Sequence, residues 1–385
     1  MIFRILETKV AGELAQARTA GKDADARYMR LALALGRRGL GRTWPNPAVG
    51  AVVVKDGVIL GRGWTAPGGR PHAEPQALQR AGAAARGATL YVTLEPCSHH
   101  GRTPPCADAI VAAGIARVVS AIEDPNPEVA GQGHARLRAA GIKVEVGLGA
   151  DEAARDHAGH FRRLRDGRPH VILKLAVSQD DRIAAAGHTP VAITGAAAQA
   201  RVHLLRAQCD AILIGVGTAQ ADDPLLTCRL PGMAARSPVR VVLDSHLRLK
   251  PGSRLAASAR QTPLWVLTGA AAEAPAAAIL GAEGAQVVRL ATAPSGLALD
   301  AVLRELAQRG ITRLMVEGGA QVAASFVAAG VVDEVFLLRG PQTIGDDGLA
   351  ALHTLPLSTI TQSPAWRVRA TEALQSDLLT IYERN

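Results

Sequence analysis

Residues 71–106 read PHAEPQALQRAGAAARGATLYVTLEPCSHHGRTPPC. Three pieces of this stretch carry metal-type donors in order: Pro71-His72-Ala73-Glu74, Glu95-Pro96-Cys97 and Pro104-Pro105-Cys106. Zinc favours tetrahedral nitrogen and thiolate ligands, and a catalytic site keeps three protein ligands with the fourth position open to water. His72, Cys97 and Cys106 satisfy that count. A helix is expected to open near His72. It would hold Glu74 in its first turn, close to the metal without having to bind it. A carboxylate there can take a proton from water and return it to a leaving amine. Zinc lowers the pKa of a bound water to ~7, so the reaction is available at neutral pH. If Cys97 also opens a helix, the positive helix end favours its thiolate.

Other readings stay open on these residues alone. Two cysteines nine positions apart can be inert core residues. A structural zinc site would want a fourth protein ligand, which His99 or His100 could supply. The remaining cysteines, Cys209 and Cys228, have no comparable context and read as buried thiols. Four cysteines in 385 residues argue against a disulfide framework and for a reducing compartment.

Around the stretch, strands alternate with helices. Residues 27–40 carry Tyr28, Leu31 and Leu35 at helical spacing and end in glycines. Val49–Val54, the turn Lys55-Asp56-Gly57 and Val58–Trp64 read as a β-hairpin. Ala88–Leu94, Arg117–Ile122 and Ile142–Val146 read as further strands, with a helix after Cys106 and another between the last two. This is an α/β layered pattern. From 148 to 169 the apolar rhythm is lost, and a second alternation follows. Its strands are expected near Val171–Val177, Ala211–Gly215, Val239–Leu243, Leu264–Leu267, Val287–Leu290, Arg313–Val316 and Glu334–Leu338. Its helices fall at about 196–206, 299–309 and 320–329. The expected organisation is an N-terminal extension at 1–24, a zinc domain at 25–148, a linker at 149–169 and a second α/β domain at 170–385.

Composition narrows the partners. Hydrophobic residues make up 48% of the chain, aromatic residues only 3%, and the formal net charge is +9. The positive charge suits phosphates, on nucleic acid or on a small molecule. The cations are dispersed, however, and the densest run (Arg162, Arg163, Arg165, Arg168) falls in the expected linker. Few aromatics leave little on which to stack bases. A zinc-stabilised nucleic-acid binder is therefore the competing class, and it predicts steeply salt-dependent affinity for oligonucleotides. No apolar run is long enough to span a bilayer. Lys9 and acidic residues interrupt the apolar start, unlike a signal peptide. A cytoplasmic protein with neither membrane nor nucleic-acid partner is expected.

The motifs Pro45-Asn46-Pro47-Ala48-Val49-Gly50, His72-Ala73-Glu74 and the run from Glu95 to Cys106 resemble the pyrimidine deaminase of riboflavin biosynthesis. Related nucleobase deaminases place two residues between their cysteines. Here eight residues intervene, and that long loop is the family's mark. The resemblance implies a cytidine-deaminase-like three-layer domain with Asn46 beside the substrate. That substrate is a diaminopyrimidinone carrying a ribosylamino 5′-phosphate, which loses its amine as ammonia. Two positions depart from the pattern: Thr65 stands where many members have His, and Pro75 directly follows Glu74.

The second half is less informative residue by residue. Gly215-Val216-Gly217-Thr218 and Glu317-Gly318-Gly319-Ala320 follow strands and suit close approach of backbone to a phosphate. Arg206 and Arg229 are planar forks suited to the same group. Each feature alone is also compatible with plain turns and caps. The segments Lys174 to Arg182, Leu205-Arg206-Ala207, Gly217-Thr218 with Asp222-Asp223-Pro224, Leu226 with Arg229, and Val316 to Ala320 resemble the riboflavin-pathway reductase. That resemblance implies a dihydrofolate-reductase-like α/β domain using NADPH to reduce the ribosyl group to ribityl. It places Ala176, Thr218, Asp222, Ser245 and Gly319 at the cofactor, and Arg206, Leu226, Arg229 and Glu317 at the phosphorylated substrate. A homo-oligomer, a dimer, is also expected. Asp181, where Gly is common, and Pro190-Val191-Ala192 depart from the pattern. A zinc deaminase with a non-catalytic second domain is the alternative within this class.

Overall fold

The computed structural model describes residues 23–99, 104–127, 129–188, 191–293 and 296–385. The expected extension at 1–24 falls outside them except for its last two residues, and so do His100, Gly101 and Pro190. The chain divides into two compact units, Met1–Arg165 and Asp166–Asn385. Among the described residues no helix is long and apolar enough to cross a membrane.

The first unit is built on five strands: β1 (Gly50–Lys55), β2 (Val58–Trp64), β3 (Thr89–Val92), β4 (Arg117–Ser120) and β5 (Lys143–Val146). Their spatial order is β2-β1-β3-β4-β5. β1 runs antiparallel to β2 and β3, whereas β3, β4 and β5 are parallel. The helices are α1 (residues 23–37), α2 (Ala73–Ala81), α3 (Cys106–Ala112), α4 (Gln132–Ala139), α5 (Ala150–Asp156) and α6 (Ala158–Asp166). Ala51, Val53, Leu90, Val92 and Val118 share one core with residues of α2, α3 and α4. Val52, Val54, Tyr91 and Val119 share the other with α1 and α5. Successive strand residues thus enter opposite cores, and both faces of the sheet are covered. This is the expected three-layer arrangement. Gly61 and Gly63 let α2 lie directly on β2, because a Cβ at either would strike the carbonyl oxygen of Ala77 or Ala73.

The segment read as a linker is helical instead. α5 and α6 bury Ala153 and Phe161 in the two cores of the first unit. Their apolar residues are too sparse among Asp and Arg to show a period, so only the packing identifies them.

The second unit holds β6 (His170–Val177), β7 (Arg182–Ala184), β8 (Ala211–Gly215), β9 (Val239–Leu243), β10 (Leu264–Gly269), β11 (Gln286–Leu290), β12 (Thr292–Ala293), β13 (Gly296–Leu297), β14 (Arg313–Val316), β15 (Glu334–Arg339), β16 (Leu349–Ala350), β17 (Trp366–Leu374) and β18 (Asp377–Arg384). Nine of them form one sheet ordered β11-β10-β9-β8-β14-β6-β15-β18-β17. It is parallel from β11 through β15 and antiparallel over β18 and β17. The helices are α7 (Ala196–Ala207), α8 (Val216–Asp222), α9 (Arg254–Ala257), α10 (Ala274–Glu283), α11 (Leu299–Gln308), α12 (Ala320–Ala328) and α13 (Ser358–Thr361). All seven expected strands are present. Sequence reasoning left α10 unread, because its alanines give no polar face to set a period. It also missed the β17–β18 hairpin, whose edge strand β17 is largely exposed.

Candidate functional site

In the first unit, the donor residues sit where strand ends meet helix starts. His72 is the N-cap of α2, with φ −66° and ψ 170°. Gln76, one turn on, donates through Nε2 to the carbonyl oxygens of His72 (3.0 Å) and Pro71 (3.1 Å), pinning that backbone. Pro75 occupies a first-turn position whose N–H has no helical partner, so it leaves the turn intact. Cys106 is the first residue of α3, capped by Pro105. Cys97 does not open a helix; it follows β3 in an irregular segment.

That segment is held by Glu95. Its buried carboxylate accepts backbone N–H groups of Asp124 (3.2 Å), Gly131 (3.0 Å) and His134 (3.2 Å). Glu95, Glu123 and His134 form a second group of metal-type donors. The three amides already occupy the Glu95 oxygens, so this group serves to fasten the loop.

The donor atoms of His72, Cys97 and Cys106 lie within 4.8 Å of one another. His72 Nδ1 is 3.3 Å from Cys106 Sγ and 3.8 Å from Cys97 Sγ. The Cys106 N–H donates to Cys97 Sγ at 3.3 Å. Hydrogen bonds from Cys106, then from His72, bring the Cys97 thiol down to about 4. Sharing its proton with Cys97 raises Cys106, with burial adding to the effect. Glu74 is 4% exposed, and burial pushes its carboxyl up to about 7. One imidazole and two thiols, crowded beside a carboxylate, are the donor chemistry that a zinc ion suits. Exposed His99 is not part of the cluster, and among the described residues the cluster holds three donors. Three ligands leave room for water, as hydrolysis requires.

Thr65 has a structural explanation. It is buried, and its Oγ1 accepts the N–H of Val49 at 3.0 Å at the entry to β1. Asn46 lies on the loop before β1, half-buried and packed against Gly69.

In the second unit, the residues expected at the cofactor collect largely at the carboxyl edge of the parallel strands, where open α/β sheets bind ligands. Ala176 is the penultimate residue of β6, Ser245 follows β9, and Gly319 follows β14 and caps α12. Gly217 and Thr218 lie in the first turn of α8, so the expected glycine loop is a helix start. Thr218 Oγ1 accepts the Gly319 N–H at 3.0 Å and joins the two segments. Asp222 ends α8, and exposed Arg229 lies on the chain that follows. Leu226 is buried with φ +56°.

Glu317 accepts Arg206 Nε (3.0 Å) and Nη2 (2.8 Å) on Oε2, and Lys174 Nζ (3.2 Å) on Oε1. Burial opposes its charge, but Lys174 and Arg206 hold its carboxyl below the usual range. Arg206 is fixed further by Nη1 on the Thr227 carbonyl oxygen, 3.2 Å away. The reductase resemblance gives Lys174 no role beyond beginning its first motif. A lysine inside the apolar run of β6 was the signal that it has a partner. Asp181 has φ +62°, which explains why Gly is common there. Its carboxylate pairs with Arg339 at 2.7 Å. Ala192 offers only its carbonyl, which accepts Gln342 Nε2 at 2.9 Å.

Residues 22–122 match the cytidine and deoxycytidylate deaminase zinc-binding region, and residues 169–380 match the RibD C-terminal domain. The riboflavin biosynthesis protein RibD of Escherichia coli is 41% identical over 90% of this chain and 95% of its own length. RibD of Aquifex aeolicus is 40% identical over 94% of this chain and 99% of its own. The structure of Acinetobacter baumannii RibD superposes with a TM-score of 0.82 at 34% identity, covering 95% of this chain and all of that one. A Thermotoga maritima diaminohydroxyphosphoribosylaminopyrimidine deaminase/5-amino-6-(5-phosphoribosylamino)uracil reductase gives 0.83 at 35%, with 95% of this chain covered.

Proposed function

Because the chain belongs to the RibD family of riboflavin biosynthesis, we propose that His72, Cys97 and Cys106 hold its zinc and that Glu74 moves the protons of deamination. The protein is a bifunctional deaminase/reductase, with a zinc-dependent first half and an NADPH-dependent second half. Its substrate is a phosphorylated pyrimidine. The first reaction is hydrolysis of 2,5-diamino-6-ribosylamino-4(3H)-pyrimidinone 5′-phosphate. The second reduces the ribosyl group to give 5-amino-6-(5-phosphoribitylamino)uracil. The observation that carries the residue assignment is the convergence of the three donors beside buried Glu74.

In this reading water adds its oxygen to the ring carbon bearing the amine, the C–N bond breaks, and ammonia leaves. Zinc supplies the Lewis acidity that lets water ionise at neutral pH. Glu74 accepts the proton of the attacking water and delivers it to the departing nitrogen. With its carboxyl lifted to about 7 by burial, it can hold or release that proton near neutrality. Asn46 contacts the substrate from the loop before β1. NADPH supplies the hydride for C1 of the ribosyl group. Ala176, Thr218, Asp222, Ser245 and Gly319 line its site. Arg206, Leu226, Arg229 and Glu317 contact the phosphorylated substrate, with Lys174 and Glu317 keeping Arg206 oriented. A homodimer in the cytoplasm belongs to the same proposal, and light scattering tests the dimer.

The test is Glu74→Gln in the full chain. Ammonia release should fall by about 10²–10⁴-fold, the usual worth of a general acid/base. Bound zinc and NADPH oxidation with the deaminated substrate should be unchanged. Normal deamination by this variant would remove Glu74 from the proton path.

A further inference from the structure

The reading of Asn46 as a substrate contact leaves open what holds its amide in place, and the neighbouring loop supplies an answer. Asn46 lies between Pro45 and Pro47, whose rings restrict the backbone, and its N–H is bonded to the Thr43 carbonyl oxygen at 3.0 Å. Its side chain is the part left free to turn. A single turn, Pro67–Gly69, packs against it on the way to His72. That turn is itself anchored: Gly68 N–H donates to the Arg42 carbonyl oxygen (2.8 Å), and Gly69 N–H to that of Ala66 (2.9 Å).

Gly68 and Gly69 both have positive φ, +75° and +84°. Their surroundings differ completely. A Cβ at Gly68 would meet nothing within 4 Å. A Cβ at Gly69 would overlap Asn46 Nδ2 and lie 2.7 Å from its Cγ and 2.8 Å from its Cβ. Ordinary carbon contacts are about 3.5–4.0 Å. Turning the Asn46 side chain would relieve the overlap at Nδ2 and Cγ, but its Cβ is fixed by the backbone, so the 2.8 Å contact there must also push the Asn46 segment aside.

We propose that Gly69 is a positioning residue for deamination. Its bare Cα forms the seat for the Asn46 side chain, and any side chain at 69 displaces that amide from the substrate. The seat lies three residues before His72, so one short loop sets both the substrate contact and a metal ligand. The proposal rests on the assignment of Asn46 made above.

Gly68→Ala is the matched control, since it carries the same backbone penalty without the contact. Ammonia release, bound zinc and NADPH oxidation are measured in the full chain for Gly68→Ala, Gly69→Ala, Asn46→Gly and the Gly69→Ala/Asn46→Gly double variant. Gly69→Ala should lose about 10²-fold in kcat/KM for deamination, the scale of a misplacement of about 1 Å. Its zinc and NADPH oxidation should be unchanged. Gly68→Ala should stay within about 3-fold of the parent, taken as roughly 0.6 kcal/mol. In the Asn46→Gly background, which removes the three atoms nearest a Cβ at 69, the Gly69→Ala change should add almost nothing, as coupled residues do. Deamination by Gly69→Ala equal to that of Gly68→Ala overturns the proposal. So do losses at 46 and 69 that multiply, or loss of zinc from Gly69→Ala alone. Normal deamination by Asn46→Gly instead overturns the substrate assignment on which the proposal stands. Should Gly69→Ala be insoluble and Gly68→Ala soluble, recovery on adding Asn46→Gly supports the seat, and no recovery overturns it.

Discussion

The backbone N–H of Cys106 donates to the sulfur of Cys97 at 3.3 Å, so one proposed zinc ligand supports the other across the loop that separates them. The bond is possible because Cys106 begins α3, where N–H groups have no helical partner. The helix start therefore favours a thiolate on Cys97.

This geometry predicts that Cys106→Ser loses the metal while the second activity persists. Zinc content by elemental analysis should fall from one per chain to trace. Ammonia release should fall by more than about 10³-fold, and NADPH oxidation with the deaminated substrate should remain. The same split is expected on removal of zinc by a chelator. Retention of zinc and deamination by this variant would rule out Cys106 as a ligand.

Glu95→Gln should loosen the Cys97 loop. The amide would aim an NH2 at one of the three N–H groups that the carboxylate now accepts. A buried unsatisfied donor costs about 1–3 kcal/mol. Urea unfolding of the first unit should show that loss, and competition with a chromogenic chelator should show weaker zinc binding. Unchanged values in both measurements would refute the anchoring role.

Arg206→Ala should damage only reduction. It would leave the buried Glu317 carboxylate with Lys174 as its remaining charge partner. Breaking a buried pair costs about 3–5 kcal/mol, and here part of that falls on substrate binding. The kcat/KM of NADPH oxidation should drop at least about 10²-fold, as estimated from that range. Ammonia release should stay at the parent level. Arg206→Lys should recover little, since it cannot reproduce the two bonds from Nε and Nη2 to Glu317.

Acid should destabilise the second unit through Asp333 and Glu334. Burial opposes ionisation of Glu334, but the hydrogen bond from His170 Nε2 (3.0 Å) and the nearby cations hold it at about 2. Asp333 is likewise held low against its burial by Arg168, which it engages at 2.7 and 2.9 Å. Both folded-state values lie below the unfolded ones, about 3.9 for Asp and 4.3 for Glu. Their contribution is therefore complete above the unfolded values and is lost as pH falls toward 2. Denaturant midpoints should drop between pH 5 and pH 3, and Glu334→Gln should flatten that slope. An equal slope in parent and variant would exclude Glu334 as a source.

Much of this molecule was legible before folding. β1 and β6 read as strands because both faces of each are buried, which forces a continuous β-branched or aliphatic run. His72, Glu74, Cys97 and Cys106 were legible because metal chemistry restricts residue type and spacing. The elements that stayed hidden lack such constraints. α5 and α6 each bury little behind charged residues, α10 is mostly alanine, and β17 is an exposed edge. The partner of Lys174 stayed hidden, because a lysine in an apolar strand calls for a counter-charge without saying that Glu317 will supply it from 143 residues away.

By itself, the sequence determined the donor types, the two α/β alternations and the family they resemble, because each follows from local periodicity or from ligand chemistry. Only the tertiary structure decided which groups face one another. It set the Cys106 amide on the Cys97 sulfur, put Lys174 and Arg206 on one carboxylate, and pressed Gly69 against Asn46. It also showed that Asp181 takes a left-handed conformation and pairs with Arg339. These relationships join residues distant in the chain through packing and hydrogen bonds, and no residue's identity encodes where its partner will lie.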